Sequence, residues 1–352
     1  MGLTLEDSMA ETISPLQAEP AETLMLPRGR WALAHVALLM ATLGLLALSV
    51  TQMLATEAGV RREGLTIGGS IPTVRYTPLG QRLPVVALVA HGFSASKEIM
   101  ADFGIELAKQ GVTTYVFDLP GHGASAVPFD TTALADENDP GQLVATVNDV
   151  ARYALAHADL ATRLVLIGHS MGTSAVGGYA LGDLVSPRLA ATVLVSPVLS
   201  PEHVTAASLA NALIVVGERD PENIIAGGHA LLSAACHTAS VPGAACVTSA
   251  GARRLVTIAG VDHITILTAS ATHRAVLAWL GATVDTRIAS GGVLADQRMG
   301  WLLLGMGAAL VSLYPALALA SLGLGMRPGA RRRRPLRADM MAAMLAMGLL
   351  AL

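Results

Sequence analysis

Charge is scarce in this chain: Asp, Glu, Lys and Arg make up 14% of its 352 residues, against 53% apolar residues. Soluble domains carry about 25% charged residues, so part of this chain is expected in lipid. The net charge of −3 is too small to imply attraction to any class of partner. The one basic cluster, Arg327, Arg331–Arg334 and Arg337, flanks a hydrophobic run, so nucleic acid is not expected as a partner. Aromatic residues are only 3%, which reads with the abundant Ala, Gly and Arg as compositional bias rather than function. Cysteine is nearly absent as well. Cys236 and Cys246 have no metal-site spacing, and His237 beside them does not make one, so no metal is expected. The pair either forms a disulfide around the turn signal Val241-Pro242-Gly243, which would fit an oxidising compartment, or is two small buried residues.

Long hydrophobic runs are what the chain has instead. Residues 1–30 carry Pro15, Pro20 and Pro27 without sustained periodicity and predict a mobile tail. Trp31 to Leu54 follows, 24 residues without a formal charge. As a helix it would extend about 36 Å, enough for a hydrocarbon core of about 30 Å. Its length and its start some 30 residues into the chain favour an uncleaved anchor over a signal peptide. A second span is expected over residues 300–325, with Pro315 as a kink, followed by a basic loop at 326–339. The apolar stretch 340–352 would extend only about 20 Å, so it reads as interfacial or as the start of a third span. Six arginines follow the second span, against Arg287 and Arg298 before it. This places the basic loop in the cytoplasm and the region between the spans on the other side of the membrane. Neither long run contains Asp, Glu, Lys or Arg, and His35 is the only titratable group in the first, which argues against a transporter or channel.

Between the spans, residues 62–286 change texture. Leu65–Ile67 and Thr73–Tyr76 are expected to pair as a hairpin. Val85–Ala90, Thr113–Phe117, Leu164–Ile167, Ala191–Val195, Leu213–Val216 and Leu255–Ile258 read as buried strands. Helices are expected over Lys97–Lys109, Gly141–Ala158, Met171–Leu181, Glu222–Ala235 and Ile264–Leu280. Such alternation implies a mostly parallel sheet covered on both faces.

One of these junctions carries chemistry. Arg163-Leu-Val-Leu-Ile-Gly-His-Ser-Met-Gly172 is a strand run, a G-x-S-x-G turn and the start of a small-residue helix. With 35 glycines in the chain, the motif alone carries little weight. A serine hydroxyl is a poor nucleophile until an imidazole takes its proton and a carboxylate orients that imidazole. In a parallel sheet these groups come from loops at the C-terminal strand ends. Asp220 lies just beyond Leu213–Val216, with Glu218 and Glu222 as local rivals. His263 lies just beyond Leu255–Ile258, with Asp262 as a flanking residue. The backbone N–H groups of Phe93 and Met171 are the candidate oxyanion donors. His91, His122 and His169 read as loop-holding residues.

His91-Gly92-Phe93, Asp118-Leu-Pro-Gly121-His122-Gly123-Ala-Ser125, Gly168-His-Ser170-Met-Gly172, Gly217-Glu-Arg-Asp220 and Asp262-His263 together resemble the α/β-hydrolase superfamily over roughly residues 65–285. The resemblance implies an α/β-hydrolase fold with an eight-stranded, mostly parallel sheet, a Ser170–Asp220–His263 triad, an oxyanion hole of the Phe93 and Met171 amides, and no cofactor. Ser196 to Asn211 is a short link where many relatives insert a helical cap, so a minimal lid is expected. The expected activity is a membrane-anchored serine hydrolase acting on an ester or thioester, with a small-molecule or lipid-derived acyl substrate. An acyltransferase or lyase on the same triad is one alternative. A catalytically idle, membrane-tethered interaction module is another. Nothing in the sequence specifies an oligomeric state.

Overall fold

The computed structural model describes residues 28–130, 141–182, 184–237 and 245–324. Residues 1–27 of the expected tail, the Val241-Pro242-Gly243 turn, the basic loop and the 340–352 stretch lie outside the described residues, while residues 28–30 are helical. In chain order the elements are helix α1 (Arg28–Thr56), strands β1 (Val60–Ile67), β2 (Ile71–Pro78) and β3 (Val85–Ala90), helix α2 (Ala101–Lys109), and strand β4 (Thr113–Phe117). Next come α3 (Gly141–Ala156), β5 (Arg163–His169), α4 (Met171–Leu181), β6 (Leu189–Val195), β7 (Ala212–Gly217) and α5 (Glu222–Cys236). Strands β8 (Ala245–Thr248) and β9 (Gly251–Ile258), a 3-10 turn at Thr265–Leu267, α6 (Ser270–Thr283) and α7 (Ala295–Gly323) complete it.

The strands form one sheet in the order β1-β2-β4-β3-β5-β6-β7-β9-β8. From β4 across to β9 every neighbouring pair is parallel, and the antiparallel pairs β1–β2, β2–β4 and β8–β9 lie towards the edges. Alternate residues of the central strands feed two cores because successive side chains point to opposite faces. Leu88, Leu164 and Leu166 meet Val147 and Val150 of α3, Val176 of α4 and Leu231 of α5. Ala87, Val89, Val165 and Ile167 meet Phe103 and Leu107 of α2 and Val276 and Leu280 of α6. Both faces are therefore covered, and each such buried aliphatic side chain contributes about 1.5–3 kcal/mol.

Several expected elements differ from those found. The sheet has nine strands rather than eight among the described residues, because Ala245–Thr248 adds an antiparallel edge strand to β9. Its burial is only partial, so no apolar run announces it. The disulfide between Cys236 and Cys246 ties that edge to the end of α5. The helix expected from Lys97 starts at Ala101, because Asp118 captures both the Lys97 amide at 2.8 Å and its ammonium at 2.7 Å. The helix expected over Ile264–Leu280 is broken. Asp262 accepts the Ile264 and Thr265 amides, and Ala269 is extended before α6 begins.

Helices α1 and α7, 29 residues each, are long and apolar enough to cross a membrane. They extend beyond the expected 31–54 and start before the expected 300, and α7 continues through Pro315. They pack antiparallel: Ser49 donates to the Trp301 carbonyl, while His35 lies 5.4 Å from Tyr314, ring to ring. A Cβ on Gly305 would collide with the Ser49 hydroxyl, so glycine is what permits this approach. At the base of the pair, Arg298 bridges Glu57 at 3.2 Å and Asp102 of α2 at 3.1 Å. Asp296 accepts the Ser270 amide at 2.8 Å, and Ser270 Oγ accepts the Asp296 amide at 3.2 Å.

Burial pushes the Asp102 carboxyl up to about 6, against the downward pull of Arg298. A raised acid is held more tightly as the protonated form in the folded chain than in the unfolded one, so its ionisation weakens the fold as pH rises through that interval. The expected penalty is on the order of 3 kcal/mol. Asp102→Asn should therefore gain stability relative to the parent as pH is raised from about 4 to about 8, measured by chemical denaturation at each pH. Parallel pH profiles for the two chains would refute it.

Candidate active site

Ser170 stands between the last residue of β5 and the first of α4 with φ 50° and ψ −122°, a conformation that L-residues adopt only under constraint. Gly172 provides part of that constraint: a Cβ there would lie 2.5 Å from the Ala90 carbonyl oxygen and 2.6 Å from that of His91. A Cβ on Gly168 would strike the Gly172 carbonyl. The elbow therefore fits beneath the end of β3 only with glycine on both sides of the serine.

The structure brings Ser170, His263 and Asp220 together. His263 Nε2 lies 3.0 Å from Ser170 Oγ, and His263 Nδ1 lies 2.8 Å from Asp220 Oδ1. A carboxylate only accepts, so Nδ1 carries the proton and Nε2 is free to accept from the serine hydroxyl. The other Asp220 oxygen accepts from the Gly217 amide at 2.6 Å and from Ser196 Oγ at 2.7 Å. Burial pushes the Asp220 carboxyl up, but the hydrogen bonds from His263, Gly217 and Ser196 outweigh it and hold it below its ordinary value. The two loops are clipped together as well: the Arg219 amide donates to the Val261 carbonyl at 2.9 Å, and Glu218 accepts the Gly260 amide at 2.7 Å. Glu218 is thus occupied with the backbone, and Asp262 with its own turn, which leaves Asp220 as the carboxylate on the imidazole.

Sequence reasoning missed Ser196. It sits fully buried at the end of β6 with φ 47°, and its only signal is its place at a C-terminal strand end, where Asp220 and His263 were also sought. The histidines expected to hold loops are placed to do so. His91 Nε2 accepts the Leu119 amide at 3.0 Å, and His122 Nδ1 meets the Pro120 carbonyl at 2.7 Å. Phe93 and Met171 flank the serine. A Cβ on Gly92 would lie 3.1 Å from Ser170 Cβ, and Met171 opens α4. Among the described residues neither the Phe93 nor the Met171 amide donates a hydrogen bond. The Phe93 ring, 56% exposed, forms an apolar wall with His122 and Phe129. Between Ser196 and Asn211 the described chain forms turns without a helix, so nothing there caps the serine. No cluster of three His, Cys, Asp or Glu side chains among the described residues is placed to hold a metal ion.

Because the Asp220 carboxyl is depressed on folding, its ionised form stabilises the chain above its unfolded value near pH 4, and that stabilisation is lost as pH falls through the folded value. Ser196→Ala removes one of the three donors, at a cost of about 1.5–3 kcal/mol near neutral pH. It should also move the acid-side loss of stability to higher pH, which acid titration followed by circular dichroism would detect. An unchanged profile would mean that Ser196 contributes nothing to the carboxylate.

A family model described as "Serine aminopeptidase, S33" matches residues 83–238. Solved structures similar to the chain include a predicted CIB-like hydrolase from Thermoplasma acidophilum, at 18% identity over 59% of this chain and 90% of that one, TM-score 0.43. A cold-adapted esterase from an Arctic intertidal metagenomic library is 18% identical over 66% of this chain and 95% of that one, TM-score 0.44. TT1662 from Thermus thermophilus is 20% identical over 63% of this chain and 97% of that one, TM-score 0.46. No curated protein matches the chain. The parallel sheet, the strained serine between β5 and α4 and the family match over residues 83–238 agree on an α/β-hydrolase fold.

Proposed function

We propose that the protein is a membrane-anchored serine hydrolase that cleaves an ester or thioester through an acyl-enzyme. The observation that carries this reading is the hydrogen-bonded chain from Ser170 Oγ through His263 to Asp220, at 3.0 and 2.8 Å. His263 Nε2 takes the serine proton as Oγ attacks the acyl carbon. Asp220, kept ionised, fixes the imidazole tautomer and stabilises the imidazolium that forms. The Phe93 and Met171 amides donate to the developing oxyanion, and one such donor is typically worth about 2.7–4 kcal/mol in the transition state. Collapse breaks the bond to the leaving oxygen or sulfur, which receives the proton from His263. Water, deprotonated by the same imidazole, then attacks the acyl-enzyme and releases the acid and free Ser170. No step calls for a cofactor.

The anchor reading rests on α1 and α7. Only 17% of the most apolar window of each is buried, and Leu33, Leu310 and Leu317 are among the exposed side chains. A core helix of a soluble domain would bury such a face; a bilayer would cover it. The Cys236–Cys246 disulfide, together with the arginines that follow α7 in sequence, supports placing the hydrolase domain on the non-cytoplasmic side. The absence of a helical cap between β6 and β7, the exposed Phe93 and the anchor favour a lipid-derived acyl substrate. The same openness would admit an alcohol or thiol in place of water, which keeps acyl transfer as the second reading; partitioning of the acyl-enzyme between water and an added alcohol separates the two.

A fluorophosphonate probe should label the protein, and Ser170→Ala and His263→Ala should each abolish labelling while leaving the fold intact. Failure of the well-folded parent to label would favour a non-catalytic, membrane-tethered role. Reporters fused near Met1 and within the hydrolase domain should read opposite sides of the membrane; the same side for both would overturn the topology.

A further inference from the structure

We propose that His169 is a positioning residue that braces the two loops on either side of Ser170, donating from Nε2 to the His263 carbonyl and setting its Nδ1 edge against Gly92. The inference rests on the Ser170–His263–Asp220 reading above. His169 is the last residue of β5, and its side chain turns inward, with only 3% of the residue exposed. Its Nε2 lies 2.9 Å from the carbonyl oxygen of His263. A carbonyl only accepts, so Nε2 carries the ring proton and Nδ1 is left as a bare lone pair. That lone pair is buried without a partner among the described residues. A Cβ on Gly92 would stand 2.9 Å from it, so the backbone of the oxyanion loop lies directly against the ring. The ring centroid lies 4.8 Å from that of His263.

One side chain therefore touches the main chain of both loops that must keep register with Ser170. Its hydrogen bond goes to the backbone of the very residue whose imidazole must stand 3.0 Å from the serine. A core residue chosen for packing would not leave a ring nitrogen unpaired, which ordinarily costs about 1–3 kcal/mol. The arrangement fits a neutral donor instead. Burial, followed by the neighbouring His263 charge, lowers the His169 value to about 4, so the ring adds no positive charge beside the imidazolium that forms in catalysis. Leu or Phe would fill the space but could not donate. Gln can place an amide N–H close to the position of Nε2.

The test compares the full-length parent with His169→Gln and His169→Phe, reading melting temperature, fluorophosphonate labelling rate, and kcat and KM on a short-chain aryl ester. The expected result is a drop of about 10- to 100-fold in labelling rate and kcat for the Phe variant, with KM little changed, as befits displacement of a reacting group by about an ångström. The Gln variant should recover to within a few-fold, at a similar melting temperature. Three results would overturn the proposal: parent-like rates in the Phe variant, equal losses in Gln and Phe, or losses that track melting temperature. His169→Asn, too short to reach the carbonyl, repeats the test if the Phe chain does not fold. A parent that does not label at all sinks the triad reading itself, an outcome distinct from any of these.

Discussion

The contact between Gly172 and the carbonyls at the end of β3 is the constraint on which the site depends. It allows α4 to begin directly under the sheet and leaves Ser170 in a conformation with positive φ. The serine amide is tied to the Val195 carbonyl of β6 at 3.0 Å, and the serine carbonyl accepts the Thr173 amide at 2.8 Å. The serine is thus fixed by backbone on three elements before its side chain makes any contact. A hydroxyl placed this way needs no induced movement to meet an imidazole, provided that the imidazole is itself fixed.

Fixing it is the task of the loops beyond β6, β7 and β9. Ser196, Gly217 and His263 converge on one carboxylate, and the loops bearing Asp220 and His263 are joined by the Arg219–Val261 backbone hydrogen bond and by the Glu218 carboxylate on the Gly260 amide. Asp220 is buried, and a buried carboxylate is stable as an anion only when its lone pairs are filled. The hydrogen bonds that keep it ionised are therefore the same ones that determine where His263 stands. Charge and geometry at the site have a single cause.

Much of this was legible in the sequence because its determinants are local. The central strands announce themselves as short runs of Val, Ile and Leu, and chemistry-bearing residues directly follow three of them. Ser170, Asp220 and His263 could therefore be picked out as candidates by position, with Glu218 and Glu222 left as rivals of Asp220. What escaped notice depends on partners distant in the chain. Ser196 reads as an ordinary Ser-Pro turn until Asp220, 24 residues away, is folded against it. The late start of α2 follows from Asp118, 21 residues downstream, competing for the Lys97 amide. Strand β8 has no apolar run because it is a half-exposed edge held by pairing and by a disulfide. The Asp262 turn that interrupts the last expected helix rests on hydrogen bonds to the Ile264 and Thr265 amides, which periodicity does not register.

The two long helices raise a different physical question, namely how an apolar helix pair is joined to the domain that carries the sheet. Their packing against each other is close where Gly305 meets Ser49, while their connection to the hydrolase domain is polar. Arg298 joins the ends of α1 and α7 to Asp102 in the first turn of α2, and Asp296 and Ser270 exchange hydrogen bonds between α7 and α6. Both α2 and α6 begin at the C-terminal ends of the strands they follow, which is the end that carries Ser170 and His263. An ion pair and reciprocal hydrogen bonds fix direction more sharply than apolar packing does, because they fail when the partners shift by an ångström or two. The polar joint therefore fixes how the base of the helix pair sits on α2 and α6. A purely greasy joint would have left that relationship free to drift.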